Sequence, residues 1–318
     1  MDFFSHILFG IFAATLAVRP FNLAWVIFGG LMAGLPDFDA LLAPLNKIRK
    51  SFYFQHRGGS HSFLTAIVVA IPLAGIFTYI SGENFFVAWI SGALFYGLHL
   101  SLDALTTYRT PLFYPIRKTT YKLDFERAVN PVLMGVSLGI ILFLSLSQWT
   151  DNTLQTTITG IAIAYFGYLG YRIGVKLVVQ RTALPGTRVL PGTLPLVYYR
   201  YRHVITDSTT AYSFTKYVSV CHKTEQLYNS EFRAGSPEYA WFQKARELIP
   251  KGHFFGAWDC IIPIIKVQGN QVLVKVIFAE GYMSYAAFCI TIEFEQDTKR
   301  VVDVRHGFER LERSRQNK

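Results

Sequence analysis

The feature that most limits the fold is a series of apolar stretches confined to the first 180 or so residues, at 3–18, 23–35, 63–80, 85–105, 131–148 and 156–179. A helix needs about 20 apolar residues to cross the hydrocarbon core of a bilayer, and the last four stretches approach that length. The first two are shorter, which predicts tilted helices, helices sunk among the others, or a hairpin that does not reach fully across. In lipid each segment must satisfy its own backbone hydrogen bonds, so the expected form is helical. The expectation is an all-α polytopic membrane domain of about six helices over residues 1–183.

The pattern changes near residues 180–185. Residues 194–203 and 212–220 alternate as strands do, 237–248 read as an amphipathic helix, and 258–267, 271–278 and 287–295 read as further strands. Gly269-Asn270 is a hairpin signal. Residues 184–318 are therefore expected to form a small soluble α+β domain with an antiparallel sheet, ending in a frayed helix or tail over 305–318. Cys221, Cys260 and Cys289 have no metal-knuckle or CxxC spacing and read as buried thiols of a reducing compartment. The histidines of this half, His203, His222, His253 and His306, read as surface or core residues.

The net charge of +10 divides evenly, with 13 Lys/Arg against 8 Asp/Glu before residue 184 and 18 against 13 after it. No basic tract interleaved with aromatics stands out, so no nucleic-acid partner is expected. In the first half the basic residues gather in two loops. One holds Lys47, Arg49, Lys50 and Arg57, the other Arg109, Arg117, Lys118, Lys122 and Arg127, and the opposite side has only Arg19. The positive-inside rule then places both loops and both termini in the cytoplasm of a multi-pass inner (plasma) membrane protein whose obligatory partner is the bilayer. The start of the chain shows no cleavable-signal pattern.

In that topology His6, His56, His61 and His99 all fall near cytoplasmic helix ends. His99 and Asp103 are four apart on one helical face, suited to share an ion or to stitch the helix end with a hydrogen bond. Asp37 and Asp39 follow Pro36, where the second segment is expected to stop, and read as ligands, solvated turn residues or a cap. In Gln55-His56-Arg57-Gly58-Gly59-Ser60-His61-Ser62 the two glycines would let the backbone curl so that His56 and His61 converge. Arg57 offers a planar fork for phosphate or carboxylate, and the bland alternative is a basic loop with Ser60 or Ser62 as a helix cap. Ionisable residues at membrane depth tend to mark functional sites.

The order His6, Pro36-Asp37-Phe38-Asp39, His56-Arg57-Gly58 through His61-Ser62, and His99 with Asp103 resembles the YdjM-like family of inner-membrane proteins read as metal-dependent hydrolases, over about residues 1–180. That family is in turn similar to the zinc-dependent phospholipase C and P1 nuclease group, which hydrolyses phosphate esters. The resemblance implies His6, Asp37, His61, His99 and Asp103 as metal ligands, Asp39 as a ligand or its supporting partner, and His56 and Arg57 in handling substrate or protons. It implies one or two divalent ions, zinc foremost, with manganese or iron as alternatives. Unlike the phospholipase group, this chain has no later His-x-x-x-Glu. The expected function is a membrane-bound metal-dependent hydrolase acting at the cytoplasmic face on phosphate esters or lipid head groups. The alternative is a membrane scaffold with a structural metal and a C-terminal domain that binds a protein partner. A transporter fits less well, because the polar residues crowd one end of the helices.

Overall fold

A computed structural model describes residues 1–18, 20–42, 44–45, 51–249, 258–283 and 286–310. Arg19, Lys47, Arg49, Lys50, His253 and the 311–318 part of the expected tail lie outside the described residues. The chain divides into two compact units, Met1–Arg172 and Ile173–Lys318.

The first unit is helical: α1 (Phe3–Ala17), α2 (Leu23–Gly34), a 3-10 helix at Leu35–Leu42, another at Phe52–Phe54, then α3 (Phe63–Ser81), α4 (Phe85–Ala104), α5 (Pro131–Leu146) and α6 (Asp151–Arg181). Polar caps define the starts. Asp2, Asn22, Ser62, Asn84 and Asn130 each accept a hydrogen bond from a backbone N–H of the first turn. Among the described residues four helical stretches are long and apolar enough to cross a membrane: Leu23–Leu42, Phe63–Ser81, Phe85–Ala104 and Asp151–Arg181.

Two expectations about these segments change. Pro36 does not stop the second segment. The helix tightens to 3-10 geometry at Leu35 and continues to Leu42, because proline needs no N–H partner at the start of a new helical turn. The fifth segment, in contrast, ends at Leu146 and joins α1 among the shorter apolar helices.

Small residues bring α1 and α2 together. A Cβ on Gly10 would lie 2.2 Å from the Gly29 carbonyl oxygen and 2.6 Å from the Ala33 Cβ, so the two backbones are in direct contact there. Such contacts let membrane helices approach closely where lipid supplies no hydrophobic drive. The contact sets the height of His6 on α1 against the Ala33 carbonyl on α2.

Residues 106–130 form an ordered strap. Thr110 pairs with Tyr121, the Phe63 N–H donates to the Leu112 carbonyl, and Leu123 and Phe125 donate to Ala104 and Leu105. Its end is pinned by Glu126, which accepts from Arg172 Nε at 2.9 Å, Arg172 Nη2 at 3.2 Å, Tyr168 OH at 2.8 Å and Asn130 Nδ2 at 3.2 Å. Glu126 and Arg172 are both buried.

The second unit holds two four-stranded antiparallel sheets where a single sheet was expected. Strands β1 (Thr187–Pro191), β2 (Val197–Ile205), β3 (Thr209–Val218) and β4 (Lys223–Arg233) form one, and β5 (Ile261–Gln268), β6 (Gln271–Phe278), β7 (Ala286–Glu295) and β8 (Val301–Arg310) the other. Helix α7 (Pro237–Leu248) lies between them in sequence and buries Phe242 and Ala245. Strands β1, β4 and β8, three of the four edge strands, escaped the sequence reading because the first is short and ends in proline and the other two are largely polar. Residues 305–310 belong to β8 and so are neither a helix nor a tail.

Gly10→Val should force α1 and α2 apart, since overpacking costs about 1–3 kcal/mol and backbone here has no room to yield. A lower thermal midpoint in detergent, with loss of bound metal, is the expected outcome. A midpoint equal to wild type would contradict the close contact.

Candidate metal centre

Asp37, His61, His99 and Asp103 each offer a ligand atom, and these atoms all lie within 4.8 Å of one another. The 3-10 helix after α2 carries Asp37, the turn before α3 carries His61, and the last turns of α4 carry His99 and Asp103. His61, His99 and Asp103 are fully buried and Asp37 is partly exposed, so Asp37 marks the side from which the group is reached.

Hydrogen bonding fixes the direction of both imidazoles. His99 Nδ1 is 2.7 Å from the Ala33 carbonyl oxygen, which only accepts, so Nδ1 carries the proton. His61 Nδ1 is 3.1 Å from Asp39 Oδ2 and 3.1 Å from Ser60 Oγ. The Ser60 hydroxyl already donates to Asp39 at 2.6 Å, so His61 Nδ1 is a donor as well. Each neutral ring therefore presents an Nε2 lone pair inward, and the two Nε2 atoms face each other at 3.2 Å. Two lone pairs at that distance repel unless a proton or a cation lies between them.

Asp103 Oδ2 adds to the same space. It is buried, has no hydrogen-bond partner among the described residues, and lies 3.4 Å from His61 Nε2 and 3.5 Å from His99 Nε2. Asp37 Oδ1 completes the set at 3.9 Å and 3.8 Å from the same two nitrogens. Bonds of 2.0–2.2 Å from a tetrahedral ion to nitrogen and oxygen put neighbouring donors roughly 3.3–3.6 Å apart, so the group fits a small divalent cation. The donor chemistry suits zinc, manganese or iron.

The other oxygen of Asp103 faces a different group. Oδ1 is 3.2 Å from His6 Nε2 and 2.9 Å from Arg57 Nη2, and it also accepts from the Met1 amine. His6 thus reaches the site through Asp103 and stacks on His99 with ring centroids 3.6 Å apart, outside the group of four. Asp39 is outside it too. Its Oδ1 accepts from His56 Nδ1 at 2.6 Å, and its Oδ2 from the Arg57 N–H, Ser60 and His61, so both oxygens are engaged in holding the turn.

The glycines of this turn serve close approach. A Cβ on Gly58 would sit 1.9 Å from the Phe52 carbonyl oxygen, and one on Gly59 2.6 Å from the Tyr53 ring. The left-handed backbone falls on Arg57 instead, at φ 57°. A side chain in that conformation costs about 1–2 kcal/mol, and such strain clusters at functional sites. Arg57 is 6% exposed and its guanidinium lies 4.8 Å from the centre of the Tyr108 ring. Its Nε and Nη1 have no hydrogen-bond partner among the described residues. His56 and His61 do come near each other, with ring centroids 6.0 Å apart, and His56 keeps a third of its side chain exposed.

Tyr108, Ser60 and the Ala33 carbonyl were not legible as site residues. A carbonyl leaves no mark in the side-chain sequence, and Tyr108 lies in a strap without periodicity. Burial pushes the Tyr108 phenol up to about 12, so it stays protonated against the arginine. Burial alone would depress His61, but the nearby carboxylates Asp103 and Asp39 outweigh that and raise its pKa.

Alanine at His99 or Asp103 should abolish metal retention, read by elemental analysis of the purified protein; full retention in both would rule out this group. Asp39→Asn should weaken affinity about 10–100-fold, as changes in the partners of ligating histidines do. Because a cation must displace the His61 proton, retention should fall as pH drops through the raised His61 pKa, with protons released on binding.

A family model for the YdjM inner membrane protein matches residues 1–179. No curated protein and no solved structure matches the chain. The matched region spans the helical unit and every residue of the His/Asp group, and it exceeds half of the 318 residues; the chain belongs to the YdjM inner membrane protein family.

Proposed function

We propose that the chain is a membrane-embedded metal-dependent hydrolase of phosphate esters, including those of lipid head groups, with its site at the cytoplasmic face. The observation that carries the reading is Arg57, a buried guanidinium with two unpartnered donors beside a group suited to a divalent cation. Guanidinium N–H groups make charge-assisted hydrogen bonds to phosphate oxygens. An apolar ligand would leave those donors unsatisfied, at a cost of about 1–3 kcal/mol each.

Asp37, His61, His99 and Asp103 would hold the ion. When bound, a divalent ion lowers the pKa of its water from near 16 towards ~7 and stabilises developing oxyanion charge. The chain's own groups do the rest. Arg57 offers the phosphate an uncommitted N–H at Nε or Nη1, and its Nη2 bond to Asp103 ties phosphate recognition to the ligand set. Tyr108 holds the guanidinium plane. Asp39 fixes His56 through Nδ1, leaving Nε2 of this part-exposed ring to take a proton to solvent.

The cytoplasmic placement is supported by the basic residues Arg57, Arg109, Arg117, Lys118, Lys122 and Arg127, which flank the His/Asp residues in sequence. Six crossings, with both termini cytoplasmic, accommodate that asymmetry. The second reading is a structural ion in a membrane scaffold, favoured by the count of four protein donors, since closed tetrahedral sites tend to be structural. The partial exposure of Asp37 favours the open, catalytic version.

Detergent-purified protein should carry stoichiometric metal and cleave at least one member of a panel of phosphomonoesters, phosphodiesters and phospholipids. Arg57→Lys should keep the metal and lower kcat/KM about 10²–10³-fold, the usual effect of losing one oxyanion donor. Full metal occupancy with no cleavage of any ester would establish the scaffold reading instead.

A further inference from the structure

A second polar site lies in the β5–β8 sheet, and it is independent of the hydrolase reading. On one face of this sheet the row Ile262, Ile277 and Cys289 is fully buried. Two residues along the strands the same face becomes polar. Ile264, Lys275, Thr291 and Arg305 form one cross-strand row, and Lys266 and Leu273 begin the next. Here the sheet opens into a cavity of about 450 Å³, with Tyr228 of β4 contributing to the wall. That volume is in the range of small-molecule sites.

The lining is unbalanced in charge. Lys266, Lys275, Arg305 and Arg310 face a single carboxylate, Glu309. Glu309 is neutralised within the cavity, since Lys275 Nζ lies 2.5 Å from its Oε2 and Thr291 Oγ1 donates to its Oε1 at 3.2 Å. Glu293 and Asp303 at the rim hold Arg305 through Nη2 and Nε. Lys266 and Arg310, both exposed, make no ion pair among the described residues. The cations come from three strands, β5, β6 and β8, and neighbouring strands are about 4.8 Å apart. Positive charge spread over that width fits a ligand with two linked anionic groups better than a lone carboxylate. Ile264, Leu273 and the Tyr228 ring offer apolar surface for the organic part.

We infer that this cavity binds a small organic molecule bearing a diphosphate, held by Lys266 and Arg310 with Arg305 at the rim. The diphosphate could belong to a soluble molecule or to the head of an isoprenoid lipid. The test titrates the full chain in detergent, with EDTA present to strip the membrane site, using methylenediphosphonate as the soluble probe and farnesyl diphosphate in mixed micelles as the lipid one. The expected result is saturable binding that weakens with added salt. It should also weaken about tenfold or more in the Lys266→Glu/Arg310→Glu double variant, as loss of charge-assisted hydrogen bonds predicts. These exposed substitutions leave the fold intact, which far-UV circular dichroism checks. Preference for one probe identifies the source. Failure of both probes to bind wild type, or equal affinity in the double variant, would overturn the inference. Neither result bears on metal content or ester cleavage at the membrane site.

Discussion

Taking a carboxylate out of water at the end of a membrane helix is costly unless donors and cations surround it, and the helical unit is arranged around one such group, Asp103. Its two oxygens divide the neighbourhood. Oδ1 collects His6 from α1, Arg57 from the turn before α3 and the Met1 amine, while Oδ2 is left to His61 and His99. Elements far apart in sequence therefore meet at one side chain. A shift of any one of them leaves a charge or a lone pair buried without compensation. The small-residue contact of α1 with α2 and the anchoring of His99 to the Ala33 carbonyl are the conditions under which that meeting is possible.

Much of this was legible in sequence, for physical reasons that differ by element. Apolar length reports on lipid directly, so the helical half was visible, and Phe63–Ser81 and Phe85–Ala104 match the reading within a residue or two. The second segment was read too short because Pro36 was taken as a stop, whereas a change to 3-10 geometry absorbs it. The fifth was read too long because Ser147 and Gln148 looked like a continuation. In the C-terminal unit, alternation reveals only strands with one buried face. It found β2, β3, β5, β6 and β7 and missed three of the four edge strands, β1, β4 and β8, and with them the division into two sheets.

At the candidate site, residue type and spacing singled out side chains that the fold brings together, because histidine and aspartate at membrane depth are expensive and stand out. Their division of labour was not legible. Asp37 and Asp39 are two apart in a 3-10 turn, so one carboxylate reaches His61 and His99 while the other turns back to hold His56, Arg57, Ser60 and His61. No sequence rule separates two aspartates flanking a phenylalanine. The separation comes from the tight turn of residues 52–61, where Gly58 and Gly59 let the chain fold back on itself.

The same turn explains why the left-handed residue is an arginine. Glycine at position 57 would relieve the backbone strain, and the glycines beside it show that the chain uses that residue freely here. An arginine is kept in the strained place, with its guanidinium buried between Asp103 and Tyr108 and two donors uncommitted. Strain, burial and missing partners each carry a cost, and all three fall on one side chain. The strap of residues 106–130 adds to it, since the buried Glu126–Arg172 pair that pins its end also fixes the segment bearing Tyr108. Stability alone does not account for spending an ion pair inside the helical unit to hold a ring over a half-satisfied arginine. The proposed phosphate does, because its acceptor oxygens beside a cation site would give the two remaining donors charge-assisted hydrogen bonds.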